Sequence, residues 1–580
     1  MNHTKRWLIP PAISAEADSS LSAYPPILRQ ILFNRGYANQ AEAGAYLGAA
    51  EPVEANPLLL TDMAAAVDRI RHAVSRGEQI AIYGDYDVDG VSATALLCQT
   101  FRALGVSVRA YIPHRFEEGY GLNKEALGTL KAEGVKLVIT VDCGIRSLDE
   151  ADHARAIGLD LIITDHHHPA DGELPAATAV VDPKRPGDVY PDKDLAGVGI
   201  AYKLAQALLA PRAVGGNVLP QSGQAAAGTD LSSLLDLVAL GTVADLAPLV
   251  GENRALVRRG LEQLRQMRRR GLFALANVAG IAPGKVNGTQ IGFVLGPRLN
   301  AAGRLESALQ ALELLTTEDP VAAGLLAQRL DVQNRNRQAL TRTIQAQAEE
   351  IALADDPGAY LLFAAHPEFN AGVVGLAASR LAEAHYRPAV VVAMGTDESR
   401  GSCRSISEFH ITDALDECRD LLVRHGGHAA AAGFTVRNEN LPELVRRLKA
   451  IAAAALSGKD LRPTLVADAD VPLTTVRPDL LAQLVDLEPT GYGNPEAGFV
   501  ARDVKVRGSR AVGAEGKHLK LVLEDERGFT HDGIGFRLGH LQAALPARVD
   551  MLFTYEVNEY NGRIGYQLNL KDIKAAGLDD

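Results

Sequence analysis

Three short apolar runs in the first third of the chain each end on aspartate, and no other feature constrains the fold as strongly. Residues 80–83 lead into Gly84, Asp85, Asp87, Asp89 and Gly90 (GDYDVDG). Residues 137–141 lead into Asp142 and Gly144 (VDCG), and residues 159–164 lead into Asp165, His166, His167 and His168. Apolar runs this short fit strands buried on both faces of a parallel sheet. Residues 106–112 and 178–181 supply two more, the second ending in Asp182-Pro183. Helical patterns near 91–104, 122–133 and 147–157 separate them, which predicts a βαβ core over roughly residues 60–185. Open sheets of this kind bind ligands outside the carboxyl ends of their strands. The acids therefore gather where a ligand belongs.

Asp85, Asp87 and Asp89 at alternate positions repel one another unless something compensates them. A divalent cation is the simplest compensation, and hard oxygen donors suit Mg²⁺ or Mn²⁺. Adding His166 and His167 to the carboxylates shifts the balance toward Mn²⁺. Gly90 would let a phosphate or the backbone come close at the following helix start. A fourth acid, Asp245 in GTVADLAPL, breaks an apolar helical run. An aspartate there is commonly a cap, so its weight comes from the other acids.

The rest of the chain reads as further modules. Two short helical patterns, 27–33 and 42–47, suggest an N-terminal lead-in over 1–60, and residues 62–76 read as a helix. Residues 195–320 are mostly helical, with a Gly/Gln/Ser-rich surface loop at 214–230. A long periodic helix over 321–353 connects to a second α/β region, with strands at 360–364 and 389–393 and helices near 372–385, 411–424 and 441–456. After a linker at 457–463, short strand patterns at 499–507, 518–524, 531–536, 549–556 and 564–570 predict a small β-barrel or sandwich.

Composition narrows the classes. Of 580 residues, 47% are apolar and 22% charged, enough for several large cores and far from a disordered chain. The formal charge of -12 argues against a general nucleic-acid coating protein. It leaves room for a nucleic-acid enzyme, whose groove needs only a local positive field. No apolar window is long enough for a membrane span, and the N-terminus lacks a signal-like apolar core. Four cysteines, at 98, 143, 403 and 418, form no CxxC pair, so a reducing cytoplasm is expected.

Taken together, GDYDVDG, VDCG, TDHH and GTVADLAPL resemble the four acidic motifs of the DHH phosphoesterase superfamily, and most closely its bacterial single-strand-specific exonucleases. GPRLNAAGR at 296–304 resembles a further motif of that branch. Gly426-Gly427-His428 followed by AAAAG resembles the glycine-rich motif of the associated DHHA1 domain, and the C-terminal strands resemble its OB-fold. The resemblance implies an α/β fold in which a DHH parallel-sheet lobe (61–320) and a DHHA1 lobe (359–456) are joined by a long helix (321–358), with an OB-fold β-barrel at 464–575. It implies Asp87, Asp89, Asp142, His166 and Asp245 as main metal ligands, with Asp85 and His167 in the same site and Asp165 in support. It assigns Arg298, Asn300 and Arg304 to the substrate or lobe interface, and Arg404, Ser405 and His428 to the nucleic-acid backbone.

Two cations, Mn²⁺ or Mg²⁺, can clamp the attacking and leaving oxygens of a phosphodiester, and Asp142 is suited to span both. Neither a serine or cysteine nucleophile nor a Ser-His-Asp triad is evident. Asp142, His166, His167 and His428 are the catalytic candidates; whether His167 or His428 serves the scissile phosphate stays open. Outside the metals, Arg115, Lys124, Arg298, Arg304, Arg404 and the cluster Arg258, Arg259, Arg265, Arg268, Arg269, Arg270 offer positive charge, the cluster equally well as a solvated helix end. Phe116 and Tyr120 are candidates for stacking on a terminal base, and Phe536, Tyr555, Tyr560 and Tyr566 are available in the barrel. The resemblance implies a 5′→3′ exonuclease on single-stranded DNA that releases 5′-mononucleotides in recombination and repair. It also implies a single-strand-binding protein and a RecQ-type helicase as partners; a monomer is the default. The competing reading is a phosphodiesterase for short oligonucleotides or cyclic dinucleotides, for which a polymer-binding barrel has no use. A non-catalytic binding protein or a manganese pyrophosphatase fits less well. Nothing in the sequence visibly reads the absence of a 2′-hydroxyl.

Overall fold

The computed structural model describes residues 5–52, 55–115, 118–119, 121–170, 172–210, 230–560 and 563–577. The chain forms two compact units, one of Met1–Pro52, Pro248–Arg258 and Arg462–Asp580, the other of Val53–Ala247 and Arg259–Leu461. The loop foreseen at 214–230 lies outside the described residues except for Asp230. The chain opens with strand β1 (Arg6–Leu8) and helices at Pro26–Asn34 and Gln40–Gly48.

In the larger unit, β2 (Gln79–Gly84), β3 (Arg109–Tyr111), β4 (Val135–Val141), β5 (Asp160–Thr164) and β6 (Ala179–Val181) form an all-parallel sheet in the order β3-β2-β4-β5-β6. The order reverses between β2 and β4, so the switch-point crevice opens beyond the ends of the two strands that carry Asp85 and Asp142. Ile80–Gly84 and Leu137–Val141 are buried, as strands covered on both faces must be. The apolar helices α1 (Val88–Ala103), α2 (Gly197–Leu209) and α3 (Leu235–Ala244) pack together and are buried almost all round, which marks them as core helices.

Further on, α4 (Gly251–Arg265) and α5 (Gly296–Leu305) precede α6 (Pro320–Asp355), a helix about 54 Å long. Helix α6 runs into a second sheet of β7 (Leu362–His366), β8 (Ala389–Ala393), β9 (Glu398–Arg404), β10 (Leu422–His428) and β11 (Ala431–Arg437), in the order β10-β11-β9-β8-β7. The helix expected over 411–424 stops at Asp416. Residues 422–428 instead pair along β11, where a tertiary ladder outweighs local helical preference.

In the smaller unit, β12 (Thr464–Val466) pairs with β1. The strands β13 (Ala469–Asp470), β14 (Gly498–Val512), β15 (His518–Glu524), β16 (Thr530–Gly535), β17 (Arg548–Tyr560) and β18 (Arg563–Ala575) run in the order β13-β14-β15-β16-β18-β17. Pairing of β14 with β17, from Gly498 opposite Thr554 to Lys505 opposite Arg548, closes the sheet into an OB-like barrel. Phe499, Leu521, Met551 and Phe553 fill it, and Leu28, Ile31 and Leu32 of the N-terminal helices join the same core. Among the described residues, no helix is long and apolar enough to cross a membrane.

Arg254, in the first turn of α4, is fully buried and donates to the carbonyls of Tyr46, Asp486, Leu487, Glu488 and Pro489 while lying over the Tyr46 ring. Asn494 donates to two of the same carbonyls, Leu487 and Pro489. Removing the guanidinium strands several buried acceptors, each costing about 1–3 kcal/mol. The expected outcome for Arg254→Ala is a smaller unit destabilised by at least about 3 kcal/mol, read as an earlier calorimetric transition. A transition at the parent temperature contradicts this.

Candidate metal centre

The first acidic turn is built on its backbone. Strand β2 ends at Gly84, and Asp87 caps α1, its Oδ1 accepting from the N–H groups of Asp89 (2.9 Å) and Gly90 (3.2 Å). The helix therefore starts at Val88, earlier than the apolar periodicity suggested. Gly90 serves the backbone: a Cβ there would lie 2.6 Å from both N and O of Asp85. Asp89, inside the first turn, accepts from Gly197 N–H (2.7 Å, Oδ2) and Val198 N–H (2.9 Å, Oδ1) at the start of α2, where a helix dipole favours an anion. Two glycines clear space behind the acids. A Cβ on Gly241 would sit 2.7 Å from Asp89 Oδ1, and one on Gly197 would sit 2.7 Å from Asp142 Cβ.

Asp142 follows β4 in a left-handed conformation, φ 61°, which short polar side chains tolerate better than most. Its N–H donates to Thr164 O at 3.1 Å. Asp245 caps the C-terminus of α3, and Leu246 beside it is also left-handed. His166 Nε2 lies 3.1 Å from Asp142 Oδ1 and 3.8 Å from Asp245 Oδ2. Three sets of potential ligands result, each with its donor atoms within 4.8 Å of one another: Asp142, His166 and His167; Asp89, His166 and Asp245; Asp85, Asp87 and Asp142. The structure thus brings together all seven residues foreseen as ligands, with Asp142 and His166 each shared by two sets.

Asp165 supports this shell. Its Oδ1 accepts from the His166 and His167 N–H groups and pairs with His167 Nδ1 at 2.7 Å; its Oδ2 accepts from Ile145 N–H. Both oxygens are engaged, and the Nδ1 pairing fixes the orientation of the His167 ring. Burial raises the Asp165 carboxyl, but the hydrogen bond and charge of His167 prevail and hold it at about 2. Burial likewise opposes protonation of His167, yet Asp165 pushes its pKa up to about 9. Burial lowers His166 to about 3, so its imidazole is neutral and fit to ligate.

The acids themselves are electrostatically frustrated. Burial, then repulsion from neighbouring aspartates, lifts Asp85 and Asp142 well above the carboxylate range, Asp89 to about 7 and Asp245 to about 8. Asp85 Oδ1, Asp142 Oδ1 and His166 Nε2 are buried with no hydrogen-bond partner. Orphaned acceptors among repelling carboxylates are the donor set a divalent cation satisfies, so these residues fit one. Asp182, which ends β6, is a further buried acid, raised by burial to about 8, that the sequence marked only as a strand end.

The predicted nucleic-acid residues divide into groups. Asn300 Oδ1 accepts from Val88 N–H (3.1 Å), tying α5 to the acidic turn. Arg298 turns to the long helix, bonding Asp331 (3.0 Å) and Val294 O. Arg304 reaches Gly372 O across to the second lobe of the larger unit. Arg115 lies over the Tyr86 ring, 4.7 Å from its centroid. Burial, then the charges of Arg115 and Arg337, lowers Arg304 to about 10, and burial, then Arg115, lowers Arg404. Arg337 on α6, missed in the sequence for want of any motif, has a buried Nε without a partner. The mutual repulsion among these arginines is of the kind that an anion would relieve.

Ser405 spends its hydroxyl on Phe409 O. His428 is exposed on β10, and burial together with Arg146, His167, His168 and Lys184 lowers its pKa, which sets it toward the DHH histidines. Phe116 and Tyr120 lie outside the described residues, as does the Tyr560 side chain. Three of the six 258–270 arginines have structural partners: Arg265 bonds Val286 O, Arg258 bonds Leu47 O, and Arg269 forks onto Asp236 at 2.8 and 2.9 Å. In the barrel, Tyr555 is core while Phe536 and Tyr566 face solvent.

Comparison with known proteins identifies the modules that carry this cluster. Residues 79–242 match the DHH family N-terminal domain, 358–454 the DHHA1 domain and 467–572 the RecJ OB domain. The single-stranded-DNA-specific exonuclease RecJ of Bacillus subtilis is 39% identical over 94% of this chain and 68% of its own length; that of Escherichia coli is 34% identical over 95% and 96%. The chain belongs to the RecJ family. Crystal structures of Thermus thermophilus RecJ with Mn²⁺ and with Mg²⁺ superpose with TM-scores of 0.82 and 0.76, at 30% and 29% identity, covering 99% of this chain and 80% and 79% of theirs.

In the unfolded chain Asp89 and Asp245 ionise near 4, about three to four units below their folded values. Without cations, their ionisation costs stability that sets in above pH 4 and is in full force above pH 8. His167 acts in the same direction, because its stabilisation is complete below about 6.5 and is lost as pH rises through 9. The chelator-treated RecJ-family chain is therefore expected to lose melting temperature from pH 6 to 8.5, and Mn²⁺ to raise it more at pH 8.5 than at pH 6. Equal metal shifts at both pH values contradict this account.

Proposed function

We propose that this RecJ-family chain is a metal-dependent 5′→3′ exonuclease that hydrolyses single-stranded DNA to 5′-mononucleotides in recombination and repair. The observation that carries this is the seven-residue acidic and imidazole cluster lying within the charge field of Arg115 and Arg304. Two cations, Mn²⁺ or Mg²⁺, would be held by Asp85, Asp87, Asp89, Asp142, His166, His167 and Asp245, of which Asp142 and His166 each belong to two ligand sets. When bound they supply an activated water and neutralise charge on the scissile phosphate.

The chain's own groups do the rest. Gly197 and Val198 N–H groups aim the Asp89 carboxylate, and Asp165 fixes the His167 ring through Nδ1. Arg115, Arg304 and Arg404 bind and orient the backbone phosphates, and Arg337 extends that track along α6. His428 approaches the phosphate from the DHHA1 lobe. The division into catalytic, DHHA1 and OB modules at 61–320, 359–456 and 464–575 assigns chemistry to the first and strand retention to the other two. A single-strand-binding protein and a RecQ-type helicase would present the ends. We place the protein in the cytoplasm as a monomer; four free thiols, Cys98, Cys143, Cys403 and Cys418, suit a reducing compartment.

With Mn²⁺ and a long single strand labelled internally and at its 5′ end, prompt release of the 5′ label as mononucleotide is expected before internal label appears. Asp142→Ala is expected to lower the rate by about three orders of magnitude or more, since it removes a ligand from two sets at once. An intact long strand beside rapid dinucleotide hydrolysis would overturn the reading.

A further inference from the structure

Phe293 is the most exposed large apolar side chain among the described residues, at 80%, and none of those residues covers it. It sits on a single π-helical stretch, Ile291–Leu295, that runs directly into α5. Such wide turns are rare and recur at functional positions. Counting along the helix, Phe293, Pro297, Asn300 and Arg304 recur at steps of four, three and four, so they form one stripe.

That stripe borders the metal centre. The residues beside it are buried against the acidic motifs: a Cβ on Gly292 would lie 4.0 Å from Val243, Gly296 faces Ala244 at 3.5 Å, and Gly303 faces Tyr86 O at 2.7 Å. Val243 and Ala244 end the helix that Asp245 caps, and Tyr86 belongs to the first acidic turn. Within the stripe, Asn300 bonds Val88 N–H and Arg304 joins the arginine cluster. The stripe therefore starts at the phosphate-binding charges and ends, at its N-terminal end, on a bare aromatic ring held by a rigid helix.

We propose that Phe293 is a base platform: an unpaired nucleobase of the strand stacks on its ring while Arg304 holds a backbone phosphate further along the same stripe. This rests on the single-stranded substrate proposed above. The occupant follows from continuity with the phosphate site and from the π face offered. A base in a duplex is already stacked on both sides, so the platform favours unpaired strands whatever their sequence. Its role is positioning and specificity, not chemistry.

The test compares KM and kcat of the full chain with Mn²⁺ on 5′-phosphorylated oligothymidylate, intact or carrying one abasic nucleotide at successive positions. Stacking of this kind contributes about 1–3 kcal/mol per base, so Phe293→Ala should raise KM about 5- to 160-fold, with the loss in KM and not in kcat. Phe293→Leu, which keeps apolar bulk but no ring, should behave like the alanine variant, and Phe293→Trp should retain tight binding. One abasic position should reproduce the loss in the parent and add nothing to it in Phe293→Ala. Unchanged KM in the alanine and leucine variants, or abasic losses that add to theirs at every position, would overturn the proposal. A parent protein that leaves the strand intact would sink the exonuclease reading instead, so the two failures are distinguishable.

Discussion

Everything around the site depends on one electrostatic conflict. Asp85, Asp89 and Asp142 are buried in a crevice that also holds Asp87 and Asp245, and burial and mutual repulsion both disfavour their charged forms. The fold relieves only part of this. The α2 N-terminus takes both Asp89 oxygens and Asp87 is spent as a cap, yet Asp85 Oδ1 and Asp142 Oδ1 are left with no donor. What remains is negative charge that divalent cations satisfy, placed at the sheet's switch point by chain topology.

The surrounding architecture can be read as the means of holding that conflict in place. Core helices buried on all sides fix Gly197 and Gly241 against Asp142 and Asp89, where a single methyl group would collide. Asp165 is a positioning residue that locks both histidines from behind. The arginines outside balance the site in the opposite sense: they crowd one another as the carboxylates do, and a polyanion relieves them. A phosphodiester brought between cations and arginines settles both imbalances at once, which is a physical basis for affinity without any base-specific contact.

The acidic strand ends were legible in the sequence because alternation of apolar runs with aspartates is a one-dimensional signal. Six of the seven expected ligands that meet in the fold follow strand ends, whereas Asp245 caps a helix and was legible only beside the other acids. Arg337 was not legible, because nothing in a long polar helix marks which of its arginines faces inward. The arginine-rich stretch at 258–270 stayed open between a phosphate track and a helix end. Arg258, Arg265 and Arg269 are taken up by carbonyls and by Asp236, contacts that only tertiary structure creates. The edge strand at 422–428 was hidden for the same reason, since its ladder partner supplies the evidence for it. The N-terminal helices look like a preface to the catalytic sheet in sequence order, but their apolar faces complete the barrel core.

The central claim is that the buried acids are compensated by two cations sharing Asp142. Anomalous diffraction from crystals grown with Mn²⁺ tests it most directly. The account predicts two peaks about 3.5–4 Å apart, with the Asp142 carboxylate reaching both. A single peak, or manganese bound away from these seven residues in crystals of active protein, would contradict it.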